Sequence, residues 1–203
     1  QRFPLSVLFS FMFAFLAIYI NHLDYLFQED WTPALISFGF GFLLSVAVDL
    51  YMESKKFEDA KKSIGRIGVL AAVGVAYWFL FKDFTDWLGW QAITALLLFI
   101  TVWIGVYIGP FFIRDKFLGF WNHGISFTGR ILLSLVFYGV LFGGIAMLMA
   151  SVDFLFDVNI DGEYYLDVWL VLAGVLAPMY VLSGMPENWS ALEKKKYYPK
   201  AIK

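Results

Sequence analysis

Six apolar segments, each long enough to cross a lipid bilayer, constrain this sequence more than any other feature. A helix needs about 20 mainly apolar residues to span a hydrocarbon core of about 30 Å, and its backbone polar groups are satisfied internally. We therefore predict an all-α, polytopic transmembrane bundle of six membrane-spanning helices, with residues 1–203 forming a single domain. The predicted spans are 3–20, 33–52, 64–81, 90–113, 131–152 and 164–185.

Composition agrees with a chain that lipid surrounds. Charged residues make up 16% of the sequence, against about 25% in soluble domains. The chain has no cysteine, which excludes disulfides, thiolate nucleophiles and Cys-ligated metals. It also lacks the HExxH, GxSxG and P-loop motifs of metalloproteases, serine hydrolases and nucleotide hydrolases. We therefore expect neither an enzyme nor a cofactor.

Positive charge is confined to alternate connections. The acidic stretches 21–31, 82–89 and 153–163 contain one basic residue, Lys82, of the 15 Lys and Arg in the chain. Short connections that are rich in Lys and Arg stay in the cytoplasm. We therefore expect an even number of crossings and both termini in the cytoplasm. The basic residues are spread over several loops beside a bilayer, which argues against nucleic-acid binding.

The outer stretch 157–168 resembles the start of a calcium loop. Asp157, Asn159 and Asp161 alternate, and Gly162 follows where an EF-hand turns sharply. Position 12 of such a loop should be a bidentate Glu, but here it is Val168. We therefore interpret the stretch as a turn and keep the three polar residues only as weak candidates for a divalent metal site.

Few ionisable groups fall inside the spans. Asp49 lies close to the basic loop 55–66, and we expect it to be an interfacial acid paired with Lys. Ahead of the fifth span, apolar residues at helical spacing predict a short helix lying in the cytoplasmic interface, with His123 at headgroup level as a polar anchor. The residues that carry this pattern are Phe117, Leu118, Trp121 and Ile125.

Glycines spaced four apart predict close helix contacts. Gly105 and Gly109 lie in the fourth span, and Gly139 and Gly143 lie in the fifth. Removing side chains from one helix face lets a neighbouring backbone approach. The neighbour can be another helix of this chain or a helix of a second protein.

Three stretches carry a family resemblance. They are "RFPLSVLFSFMFAFLAIYI", "FWNHGISFTGRILLSLVFYGVLFGGIAMLMASVDFLFDVNI" and "DVWLVLAGVLAPMYVLSGMPE". They resemble the bacterial multi-pass family named domain of unknown function 4153. The resemblance implies a helical bundle in the bacterial inner membrane and brings no activity, cofactor or catalytic residue. Members of that family usually continue past "YPK" into further apolar segments, so we expect this chain to be a fragment.

These patterns lead to a first functional hypothesis and two alternatives. We expect a non-enzymatic scaffold or regulatory module that packs against a membrane protein partner or a second copy of itself. The first alternative is a carrier or channel for a small apolar or zwitterionic solute, built near Pro110 and Pro178. The second is a lipid enzyme that would need His123, Asn122 and Arg130 to converge on a headgroup-sized pocket.

Overall fold

The computed structural model describes residues 2–23, 25–82, 89–111 and 117–186. Within these ranges the chain is helical and contains no strand. The helices are α1 (Pro4–Asn21), α2 (Tyr25–Ser54), α3 (Asp59–Ala76), α4 (Trp90–Ile108), α5 (Phe117–Phe156), α6 (Gly162–Val171) and α7 (Ala177–Ser183). A π-helical turn, Tyr77–Phe81, extends α3, and a second, Leu172–Leu176, joins α6 to α7.

The all-α fold with six membrane-length helices is confirmed for the described residues. The six membrane-length segments are Pro4–Asn21, Asp30–Ser54, Asp59–Phe81, Trp90–Phe111, Gly119–Phe156 and Gly162–Ser183. The second helix begins at Tyr25, earlier than the predicted span, and Pro33 lies inside the helix rather than in its first turn. Residues 112 and 113, at the end of the predicted fourth span, lie outside the described ranges.

The predicted short interfacial helix is not a separate element. The backbone continues from Phe117 to Phe156 as one helix of 40 residues. His123 is completely buried, while Trp121 and Ile125 face outward. The prediction of His123 as a headgroup anchor is therefore wrong. In lipid the apolar side chains face outward and polar ones turn toward protein, so this turn of α5 reverses the pattern expected in water.

Arg2 joins three chain segments at one end of the bundle. Its guanidinium makes a bidentate pair with Glu53, at 2.8 and 2.6 Å. It also donates to the carbonyl oxygens of Met185 (2.7 Å) and Pro186 (2.6 Å). The first and last described residues thus lie at the same end, which we call the Arg2 end. At the opposite end, the His22 end, the end of α1 meets the start of α6.

Small and hydroxyl-bearing residues bring α1 close to its neighbours. The buried hydroxyls of Ser6 and Ser45 are 2.9 Å apart and join α1 to α2. A Cβ at Gly41 would come within 2.8 Å of the Phe9 ring, so glycine makes room for that ring. Contacts of this kind drive helix association where lipid tails are as apolar as the side chains themselves.

Pro178 and Pro110 each leave a backbone carbonyl without its usual N–H donor, and a side chain of another helix bonds to each of these carbonyls. Pro178 has no N–H to donate to the carbonyl four residues earlier, that of Gly174. The hydroxyl of Ser10 on α1 donates to that oxygen instead. Pro110 likewise frees the carbonyl of Val106. The Nε2 atom of the buried His123 lies 3.4 Å from it, and the carbonyl can only accept.

The Ser10 contact predicts a specific double-mutant result. Ser10→Ala should destabilise the protein by about 1 kcal/mol, the size measured for hydrogen bonds between membrane helices. In a Pro178→Ala background the new backbone N–H can reach the Gly174 carbonyl, so the same substitution should cost clearly less. Reversible unfolding in mixed micelles measures both values. Ser151→Ala is the control, because that hydroxyl donates only to Met147 of its own helix. If Ser10→Ala costs the same free energy of unfolding in both backgrounds, the Ser10 hydroxyl does not compensate for the N–H that Pro178 lacks.

Candidate functional site

The four glycines predicted to pack helices fall into two different environments. A Cβ at Gly105 would lie 3.9 Å from Ala47, and one at Gly109 would lie 3.6 Å from the Ala47 carbonyl. This pair faces α2 of the same chain. A Cβ at Gly139 or Gly143 would meet no heavy atom of the described residues within 4 Å. The two pairs share a spacing, but among the described residues only the first pair has another helix packed against it.

The open glycines belong to a longer surface on α5. Small side chains follow Gly139 and Gly143 at Ala146 and Ala150, and they form one stripe at 3.6 residues per turn. We call Gly139, Gly143, Ala146 and Ala150 the α5 stripe. It lies about a third of a turn away from the face of α5 that points into the bundle. Large exposed side chains, including Val136, Val140 and Met147, border it.

An apolar cavity of about 240 Å³ lies between α5 and the helices behind it. The cavity is open on one side, and its wall is almost wholly apolar, so it favours an apolar occupant over water. Pro178, predicted to mark a solute site, lines it, whereas Pro110 does not. Other side chains of the wall are Phe42, Val46, Trp103, Ser134, Tyr138 and Trp169.

Asp49 is buried near the Arg2 end. Its Oδ1 atom accepts a hydrogen bond of 3.3 Å from Nε of Arg66. The expected partner of Asp49 was Lys, so the partner is basic but is a different residue. Its second oxygen, Oδ2, is also buried and has no hydrogen-bond partner among the described residues.

The acidic loop between α5 and α6 has the geometry of a turn. Asp157 and Asn159 adopt left-handed backbone conformations, with φ of 53° and 57°, which Asp and Asn tolerate better than most residues. The Asp153 carboxylate accepts a 2.9 Å hydrogen bond from the Ile160 N–H and closes the loop. Asp161 directly precedes α6. In the described part of the chain, no three His, Asp or Glu side chains gather as a metal site.

The residues of the lipid-enzyme alternative contact different neighbours. His123 stacks on Phe127, with the ring planes 9° apart. The Arg130 guanidinium instead lies directly against Gly184, in the space that a Cβ there would fill. Asn122 is buried. This arrangement serves packing between α5, α4 and the end of α7.

The sequence did not predict a cluster of His22, Asp167 and Glu163 at the His22 end. The Nε2 atom of His22 lies 2.6 Å from Asp167 Oδ2, and Nδ1 lies 3.1 Å from Glu163 Oε2. Asn21 donates to the other oxygen of Asp167 at 2.9 Å. The partners are separated by 145 positions. Only the charge pattern, which places His22 and Asp167 at the same membrane face, could have suggested the pair.

No family model, curated protein or solved structure matches the chain. The function of this chain must therefore be inferred from the arrangement of its own residues.

The His22 cluster predicts pH-dependent stability. The hydrogen bond to Asp167 is the main cause that raises the pKa of His22 above its ordinary 6.5, and the negative charges of Asp167 and Glu163 add to it. A raised pKa in the folded state means that the pairing stabilises fully below the ordinary pKa. This stabilisation is lost as the pH rises through the raised value.

We expect His22→Gln to lower the thermal unfolding midpoint at pH of about 5.5, and to lower it progressively less as the pH rises toward about 9. Asp157→Asn, in the exposed loop at the same end, is the matched control and should show no such trend. A His22→Gln effect that is equal across the pH range would refute the linkage.

Proposed function

We propose that this protein is a non-enzymatic membrane module that scaffolds or regulates through helix association. The α5 stripe is the docking surface, and a second copy of the chain is the partner that binds it. The observation that carries the proposal is the contrast between the glycine pairs. Gly105 and Gly109 are occupied by α2, while Gly139 and Gly143 open to the surface.

Membrane physics explains why an open glycine stripe favours a second helix. Two apolar faces gain nothing from the hydrophobic effect in lipid, because the acyl chains are equally apolar. Close backbone approach at small residues is what provides the attraction. Bulky exposed side chains, Val136 and Val140, stand along one side of the stripe, where they can pack against a second helix whose backbone approaches the glycines.

A second candidate function is the binding of a small apolar solute. The cavity beside α5 favours it, because Pro178 and Trp169 line an apolar space of about 240 Å³ at the depth of the spans. The same cavity argues against a zwitterionic cargo on this path, since its wall exposes almost no polar atoms. If the protein is monomeric both with the native residues of the α5 stripe and with substitutions there, this second candidate is favoured.

We also propose the location and the orientation. The protein lies in a bacterial cytoplasmic membrane with the Arg2 end inside, and membership of the family that it resembles is part of this proposal. The support is the basic residues near the Arg2 end, such as Lys55, Lys56, Lys61 and Lys62, and the acidic loop at the His22 end. The hydrogen bonds of Arg2 to Met185 and Pro186 agree with an even number of crossings.

Single cysteines test the orientation, because the chain has none of its own. A membrane-impermeant maleimide applied to intact cells should label Val158→Cys, in the exposed outer loop. Glu58→Cys, exposed between α2 and α3, should react only after the membrane is permeabilised. The reverse labelling pattern would show that the orientation is the opposite one and that the distribution of Lys and Arg does not determine it.

Substitution in the stripe tests the association. A double variant, Gly139→Ile with Gly143→Ile, should weaken self-association at least tenfold, or about 1.4 kcal/mol, because the added side chains hold the second helix away. Energy transfer between donor- and acceptor-labelled protein in vesicles, at a series of protein-to-lipid ratios, measures the dimer fraction.

Gly74→Ile is the matched control. Gly74 also has open space around it, but no small residue stands four positions before or after it on α3. It should leave the dimer fraction unchanged. An unmodified protein that remains monomeric at every ratio, or equal losses in both variants, would contradict the docking role of α5.

A further inference from the structure

A polar cavity of about 230 Å³ lies at the Arg2 end, between the last turns of α2 and the first turns of α3. It is independent of the α5 stripe and of the apolar cavity. Three acids and three bases make up most of its wall: Asp49, Glu53, Asp59, Arg2, Lys62 and Arg66. The formal charges cancel, so the wall presents both positive and negative groups to an occupant and has no net charge.

Two of the three ion pairs are complete in themselves. Arg2 uses its guanidinium on both oxygens of Glu53 and on two backbone carbonyls. Lys62 reaches Asp59 at 3.1 Å, and the Asp59 side chain is 99% exposed, so water also solvates that carboxylate. The third pair, Asp49 with Arg66, is the incomplete one.

Asp49 supplies an acceptor that nothing in the described chain satisfies. Its side chain is only 4% exposed. Arg66 donates to Oδ1 through Nε alone, and Oδ2 has no hydrogen-bond partner. A buried carboxylate oxygen without a donor is costly, so this atom favours an occupant that carries N–H or O–H groups.

The neighbours of Asp49 restrict the occupant. A bare metal ion needs several oxygen ligands, but no three acidic or His side chains of the described residues form such a set. A primary ammonium needs only hydrogen-bond acceptors and is compatible with a cation that is already paired. Arg66 and Lys62 keep further N–H donors for an anionic group.

The depth of the cavity indicates where such an occupant comes from. Asp49 and Glu53 belong to the last turns of the membrane-length segment Asp30–Ser54, and Asp59 begins the next one. The cavity therefore lies at the level where hydrocarbon gives way to headgroups. Its volume, roughly eight waters at about 30 Å³ each, is of the order of one small headgroup.

We propose that this cavity binds a primary ammonium joined to a phosphate ester, as in the headgroup of an ethanolamine phospholipid or in free phosphoethanolamine. The ammonium donates to Asp49 Oδ2, and the phosphate accepts from Arg66 and Lys62. A choline headgroup carries no N–H on its nitrogen and cannot make the first contact. A glycerol headgroup can donate an O–H to that oxygen, but it carries no positive charge to add to the hydrogen bond.

The first experiment uses the unmodified full chain in nanodiscs. Ethanolamine, choline and glycerol phospholipids with identical acyl chains are mixed in equal amounts, and native mass spectrometry counts the lipids that stay bound. The ethanolamine lipid should be retained at least tenfold over the choline lipid. Equal retention of the two would overturn the proposal without any substitution, so misfolding cannot obscure the result.

The second experiment tests Asp49 and identifies the source of the ligand. Asp49→Asn should abolish the preference for the ethanolamine lipid, while Asp59→Asn, which alters an exposed carboxylate of the same wall, should keep it. Soluble phosphoethanolamine is then added as a competitor. Displacement of the lipid identifies the headgroup as sufficient, and no displacement assigns the site to the intact lipid. A preference that survives Asp49→Asn would overturn the role of that carboxylate.

Discussion

The requirement that every backbone polar group find a partner inside a bilayer organises this structure. Helices satisfy it along most of the chain, and proline is where they fail. Ser10 and His123 lie against the carbonyls that Pro178 and Pro110 free, those of Gly174 and Val106. Each repair joins distant parts of the chain, because the donor comes from a different helix. The compensation therefore also determines which helices become neighbours.

Polar side chains follow the same logic at a larger scale. They gather at the two ends of the bundle, around Arg2 and around His22, where water and headgroups can solvate what the protein does not pair. Between the ends, the polar contacts include a link between two hydroxyls, those of Ser6 and Ser45, and links from a side chain to a backbone carbonyl, such as Ser10 to Gly174. The buried carboxylate of Asp49 departs from this rule, which is why it is the group that points to a ligand.

The fold could be predicted from the sequence because length and hydropathy alone decide whether a helix spans a bilayer. The placement of Gly105 and Gly139 could not, since the same four-residue spacing describes a glycine that faces α2 and one that no described residue approaches. His123 was misplaced for a related reason. Periodicity gives the apolar face of a helix but does not reveal whether that face meets water, lipid or protein. The Asp49 cavity depends on residues 2 to 66, which only the folded chain brings together.

The 40 residues of α5 give it a length of about 60 Å, roughly twice the thickness of a hydrocarbon core. A rod of that length accommodates a thinner or thicker bilayer by leaning. The cavity beside α5 removes part of its contact with the helices behind it. A helix of this length therefore has to tilt, or to extend beyond the hydrocarbon core, in a bilayer of ordinary thickness.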